Sequence, residues 1–142
     1  MIGKLQSNKA KEAVKLFDYI HSLDSQKLAD KLSKHQVSLK KNLKYFIQVN
    51  VGNEIQKSGI PVGELDLFYN YCKNEINLNI VGLMVIPPND NNPEKYFKSL
   101  NELNKSLALQ DLSMGMSADY IKAIEHGATF IRVGSFIFGQ RS

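Results

Sequence analysis

Tryptophan is absent from this 142-residue chain, cysteine occurs once and arginine only twice. With Cys72 alone, no internal disulfide forms, and neither a thiolate zinc site nor a CxxC redox pair can be built. No metal site is expected. Long apolar runs are missing as well: residues 80–88 and 129–139 are among the longest, well short of the ~18 needed to cross a bilayer. The first residues carry no apolar stretch behind their charges and no small-residue cleavage site, so a secretory signal is not expected and a cytoplasmic location is.

The cationic side chains are almost entirely lysine, 16 of 18, spread over every predicted helix, and the formal net charge is +4. Nucleic-acid binders cluster Arg and Lys on one face with interleaved aromatics or a known motif, and no such cluster is legible here. Scattered lysine reads as solvated helix surface. The Lys, Asn and Ile enrichment matches the codon bias of an AT-rich genome.

What the chain has is alternation. Helical and extended patterns succeed each other throughout, with no composition break, repeat or linker, so residues 1–142 read as one domain. A helix is expected over 7–16, with Ser7 capping Ala10 and Lys11, then a short strand at 19–21. Ser25 is a second cap, opening a helix with Leu28, Leu32 and Leu39 on one face. A strand at 45–51 runs into a polar loop ending at Gly59, and Pro61 suits the first turn of a helix carrying Leu65, Phe68 and Cys72. Residues 79–86 form a strand apolar on both faces, ended by Pro87 and Pro88. Pro93 opens a helix with Phe97, Leu100, Leu103 and Leu107 inward. Beyond it come a strand at 112–116, a helix capped by Ser117 with Tyr120, Ile121 and Ile124 inward, and a last strand at 129–133.

Successive βα units of this kind make a parallel sheet, open or closed into a barrel. Two observations favour a TIM-type barrel. No Gly-rich dinucleotide fingerprint is present, and polar groups gather where strands end: His21 to Asp24, Asn50 to Glu54, Pro87 to Asp90, Ser117 to Asp119, and Gly134 with Ser135. In a barrel these share one rim. The loops after the last two strands, with Ser117, Gly134 and Ser135, are where barrels often bind phosphate, against the plainer reading of a cap and a turn glycine. Arg132 stands alone in an apolar strand, so it must point inward and needs a partner, a structural salt bridge or a ligand. His21 and Asp24 read as structural polar groups rather than an acid–base pair, Glu54 with Lys57 as a solvated ion pair, and Cys72 as core.

Six blocks, in order, resemble the YggS/PROSC-like pyridoxal phosphate homeostasis proteins. They are Ile2-Gly3-x-Leu5-Gln6-x-Asn8-Lys9; His21-Ser22-x-Asp24; Gln48-Val49-Asn50 followed by Glu54-x-x-Lys57-x-Gly59; Gly82-Leu83-Met84-x-Ile86-Pro87; Ser113-Met114-Gly115-Met116-Ser117-x-Asp119; and Arg132-x-Gly134-x-x-Ile137-Phe138-Gly139. The resemblance implies an alanine racemase-like barrel with pyridoxal 5'-phosphate (PLP) at its rim. Ser117, Gly134 and Ser135 would hold the phosphate with Met116 beside them, and Arg132 would face the pyridine nitrogen. A permanent charge there discourages protonation of the ring and weakens it as an electron sink. The family accordingly resembles carriers or regulators of vitamin B6 balance, and no catalytic residue is expected.

A full (β/α)8 barrel needs at least ~200 residues. The resemblance places Ile2-Gly3 at the close of the family's third strand, so roughly the last five βα units are present and the first two to three are not. The lysine that forms the Schiff base with PLP lies on the first strand and has no counterpart among the 16 present. Two edge strands, at Tyr19 and Phe130, are expected to expose unpaired backbone and to limit solubility. The alternatives are a racemase-like enzyme fragment or the inactive product of a split or decayed gene. A separately encoded front piece or self-association through the open edges would complete the arc.

Overall fold

Strand β2 (Lys44–Asn50) shows why a sheet forms here: Tyr45, Phe46, Ile47, Gln48 and Val49 are all buried, on both faces of the strand. A strand so covered belongs in the middle of a parallel sheet, with helices on one side and a filled interior on the other. The computed structural model describes residues 1–54 and 58–139. Its elements are α1 (Ala10–Leu16), β1 (Tyr19–Leu23), α2 (Gln26–Ser38), β2, β3 (Ile60–Pro61), α3 (Leu65–Asn70), β4 (Asn79–Met84), α4 (Pro93–Ser106), β5 (Asp111–Met116), α5 (Tyr120–Glu125), β6 (Phe130–Arg132) and α6 (Ser135–Phe138).

The sheet runs β1-β2-β4-β5-β6 with every pairing parallel, and the two-residue β3 adds to β2. Because all strands point the same way, their C-terminal ends share one rim, as a barrel arc requires. Gly82 lets β4 and β5 approach: a Cβ there would fall on the Asp111 carbonyl and 2.9 Å from Phe46 Cε1. Toward the helices, Ile20, Tyr45, Ile47, Leu83, Leu112 and Met114 join Leu28, Leu32, Leu65, Phe97 and Leu100 in the main core. Phe46 and Met84 are fully buried but stand apart from that cluster, on the concave side. There the rings of Tyr19 on β1 and Phe130 on β6 lie 5.4 Å apart, and Phe46 is 5.2 Å from Phe130. Edge strands at opposite ends of the sheet therefore touch through side chains across the hollow.

Ser25 caps α2 as expected, its Oγ accepting from the Leu28 amide at 3.3 Å. Several expectations are corrected. Ser7 opens a 3-10 turn and caps nothing; neither that turn nor α1 has a side-chain cap. Pro61 is extended (φ −56°, ψ 142°) and pairs with Asn50, so helix α3 begins four residues later. In α5 only Ala123 is buried, while Ile121 and Ile124 are 60% and 51% exposed. The cause is Gly115, at φ +95°: a Cβ there would lie 2.6 Å from that of Ala123, so the helix packs on the strand through its smallest residue. The β1 edge is also less bare than expected. The amine of Met1 donates to the Tyr19 carbonyl at 2.7 Å, the His21 amide donates to the Met1 carbonyl at 2.9 Å, and Ser22 Oγ donates to the Gly3 carbonyl at 2.6 Å.

Candidate functional site at the C-terminal rim

All five polar groups singled out in the sequence lie at or just beyond the C-terminal ends of β1, β2, β4, β5 and β6. After β5 the chain turns sharply, because the Asp119 carboxylate accepts from the Met116 amide at 2.7 Å and the Asp119 amide donates to the Met116 carbonyl at 3.0 Å. The turn lifts Ser117 toward the next loop. Ser117 Oγ accepts from the Phe136 amide at 3.2 Å, which joins the two loops that sequence reasoning paired. Ser117 is not the cap of α5, whose N-cap is Asp119. With six residues in α5 and four in α6, hydroxyls and loop amides rather than an extended helix dipole supply the polarity here. Gly134 is open: nothing lies within 4 Å of where its Cβ would be. Ser135 is exposed beside it, and Met116 is 39% exposed on the other side.

Arg132 points inward. Nη1 donates to the Ser113 carbonyl at 3.0 Å and to Ser113 Oγ at 2.8 Å, and Nη2 donates to the Val85 carbonyl at 2.7 Å. These partners are uncharged, so the structural salt bridge weighed from sequence is not what holds it. Burial lowers its pKa to about 10, against the opposing pull of Asp119, and it stays charged at neutral pH. His21, inside β1, sits with Nδ1 2.7 Å from Ser113 Oγ and its ring stacked 4.3 Å from Phe46. Burial, with the N-terminal amine and Arg132 adding to it, pushes His21 down to about 4, so it is neutral. Asp24 is raised by its own burial. His21 thus pairs with Ser113, a residue to which the sequence reading gives no role. Its only signal is a hydroxyl in the middle of a buried strand.

Asn50 closes the loop after β2, its Nδ2 donating to the Glu54 carbonyl at 2.8 Å and its Oδ1 accepting from the Glu54 amide at 3.2 Å. Lys57, the expected partner of the Glu54 side chain, lies outside the described residues. A groove of about 620 Å³ runs between α2 and α3, with Asp24, Glu64 and Phe68 in its walls but none of Ser117, Arg132, Gly134 or Ser135. A smaller cleft of about 350 Å³ separates the loops after β4 and β5 and includes Pro88, Met116 and Lys122. Among the described residues, no group of three or more His, Cys, Asp or Glu could hold a metal, and no helix is long and apolar enough to cross a membrane.

Residues 1–142 match the family model described as alanine racemase, N-terminal domain. The chain belongs to that family. Among its members it is similar to the pyridoxal phosphate homeostasis proteins. It is 42% identical to the one from Aquifex aeolicus, covering 99% of this chain and 65% of the relative, and 40% identical to the one from Synechocystis, covering 68% of it. The chain thus spans about two thirds of the length of these family members. PipY of Synechococcus elongatus, in a structure with PLP bound, superposes on 96% of this chain and 68% of its own, with a TM-score of 0.88 and 36% identity. An arginine decarboxylase from Paramecium bursaria Chlorella virus shares the fold, with a TM-score of 0.70 at 18% identity. The parallel arc expected from sequence is therefore present, and it shares its fold with these barrel proteins.

Proposed function

We propose that this chain binds pyridoxal 5'-phosphate at its C-terminal rim and serves intracellular PLP homeostasis without catalysing a reaction. The observation that carries the reading is the likeness to PipY, whose structure holds PLP on the same fold. The rim suits such a ligand in three ways. Two serine hydroxyls, Ser117 and Ser135, stand on joined loops with open space at Gly134 between them, a donor set matched to a phosphate. Met116 offers a half-exposed apolar side chain beside them. Arg132 carries five N–H groups, of which at least three are committed within the chain, leaving at most two for a ring nitrogen.

PLP brings an aldehyde and an electron-accepting ring. Ser117, Gly134 and Ser135 would bind its phosphate and so fix its orientation. Arg132 would meet the pyridine nitrogen with a fixed positive charge and keep a proton off it, which disfavours carbanion chemistry. Homeostasis rather than turnover follows from that arrangement, and the names of the relatives support it. None of the lysines among residues 1–142 matches the family's aldehyde-bearing position, so the retention proposed for these residues is non-covalent.

The test is to add PLP to the purified 142-residue chain, follow absorbance with and without borohydride, and verify folding by circular dichroism. A folded chain that retains PLP and releases all of it on denaturation after borohydride is the expected result. A folded chain indifferent to PLP would overturn the binding. One stoichiometric pyridoxyl-lysine would overturn the non-covalent mode.

A further inference from the structure

We infer that Ser113, backed by His21, is the positioning residue that aims Arg132 at the rim. Among the described residues, nothing else in the concave interior has two ionisable groups meeting on one hydroxyl. Ser113 is fully buried at the centre of β5, and its Oγ lies 2.8 Å from Arg132 Nη1 and 2.7 Å from His21 Nδ1. A guanidinium only donates, so Ser113 Oγ must accept from Arg132. The hydroxyl hydrogen is then left for His21 Nδ1, which accepts it when the imidazole is neutral with its proton on Nε2. Donation therefore runs one way, Arg132 to Ser113 to His21.

The far end of that series is rigid. His21 is stacked on Phe46, ring centroids 4.3 Å apart, and meets the edge of Phe130 at 5.4 Å, so its ring cannot turn away. The near end is held on a second side, since the Ser113 carbonyl accepts both from Arg132 Nη1 at 3.0 Å and from the Val85 amide at 3.1 Å. The Val85 carbonyl then takes Nη2 at 2.7 Å. Three oxygens, two from β5 and one from the residue that follows β4, fix the guanidinium plane before any ligand arrives. Burial keeps His21 neutral and so preserves the tautomer that the series requires. Preorganisation of this kind reduces the cost of ordering a long side chain on binding.

The inference deepens the reading of the rim as a PLP site and rests on it for its consequence, but one readout is independent of PLP. Only Arg132 and Arg141 are present, so arginine-selective ¹⁵N labelling gives two side-chain signal sets, and Arg141→Lys identifies which is which. In the folded chain the Arg132 Nη signals should be resolved and their protons slow to exchange. Ser113→Ala should speed that exchange at least tenfold, and Ser113→Thr, which keeps the hydroxyl, should restore it to within about threefold. In parallel, PLP affinity should fall about tenfold in Ser113→Ala and recover in Ser113→Thr. The ¹⁵N shift of the bound ring nitrogen should move in Ser113→Ala toward its value in Arg132→Ala. Should Ser113→Ala not fold, His21→Phe removes the acceptor of the Ser113 hydroxyl hydrogen, which frees Oγ to turn away from Arg132, and should also speed the exchange. Unchanged exchange in a folded variant overturns the inference. Slow exchange in a chain that takes up no PLP upholds the positioning of Arg132 and overturns the reading of the rim instead.

Discussion

Ser113 Oγ receives a hydrogen bond from a guanidinium and lies against an imidazole, yet in sequence it is one hydroxyl among apolar neighbours. Arg132 was legible because a lone charge in an apolar strand has to be explained, whereas a small polar residue in a strand does not. Ser117, Gly134 and Ser135 were legible as loop chemistry, but their junction through the Phe136 amide is a property of tertiary packing. Ser117→Ala and Arg132→Ala are each expected to weaken PLP binding by about 1–3 kcal/mol, as loss of a charge-assisted, desolvated contact does. Equilibrium dialysis against PLP measures it. His21 gives a pH prediction. Its pKa falls from an ordinary 6.5 to about 4 on folding, so between those values the unfolded chain binds a proton that the folded chain refuses. The stabilisation from neutral His21 is complete above pH 6.5 and is lost as the pH falls toward 4, on the order of 3 kcal/mol in all. Urea midpoints at pH 7.5 and 5 should therefore separate more in the wild type than in His21→Gln, and parallel shifts in both would refute the assignment.

Helices and strands differ in how clearly their boundaries were written. β2, β4 and β5 were evident from runs of β-branched, aromatic and apolar residues, and the prolines after β4 fixed its end to within a few residues. In α5 the spacing of large apolar residues points to the wrong face, because the contact that decides the helix's orientation is Ala123 on Gly115. Nothing in the spacing reveals that a neighbouring glycine has φ +95°. β3 was invisible for a related reason: two residues paired to β2 leave no periodicity to count. The Ser25 cap, by contrast, is local chemistry, legible in the sequence and present in the fold. Ser25→Ala should cost about 1 kcal/mol through the unpaired Leu28 amide, seen as a lower urea midpoint with an unchanged slope.

The described residues form an arc whose two outer strands, β1 and β6, are not paired with each other and meet through side chains in the hollow. β1 is partly shielded by residues 1–3, whereas beyond β6 the side chains of Phe136, Ile137 and Phe138 are 71%, 62% and 87% exposed. An apolar cluster of that kind beside an open strand edge invites association. Sedimentation of the 142-residue chain should show concentration-dependent self-association, and Ile137→Ser with Phe138→Ser should shift it toward monomer; a monomeric wild type at high concentration would contradict this. The strand order has a further consequence. β2 pairs back to β1, β4 to β2, β5 to β4 and β6 to β5, so every strand of this path after β1 meets a partner that precedes it in the chain. A ribosome emitting this polypeptide delivers each strand to an edge already in place, and the sheet can assemble in the order of its own synthesis.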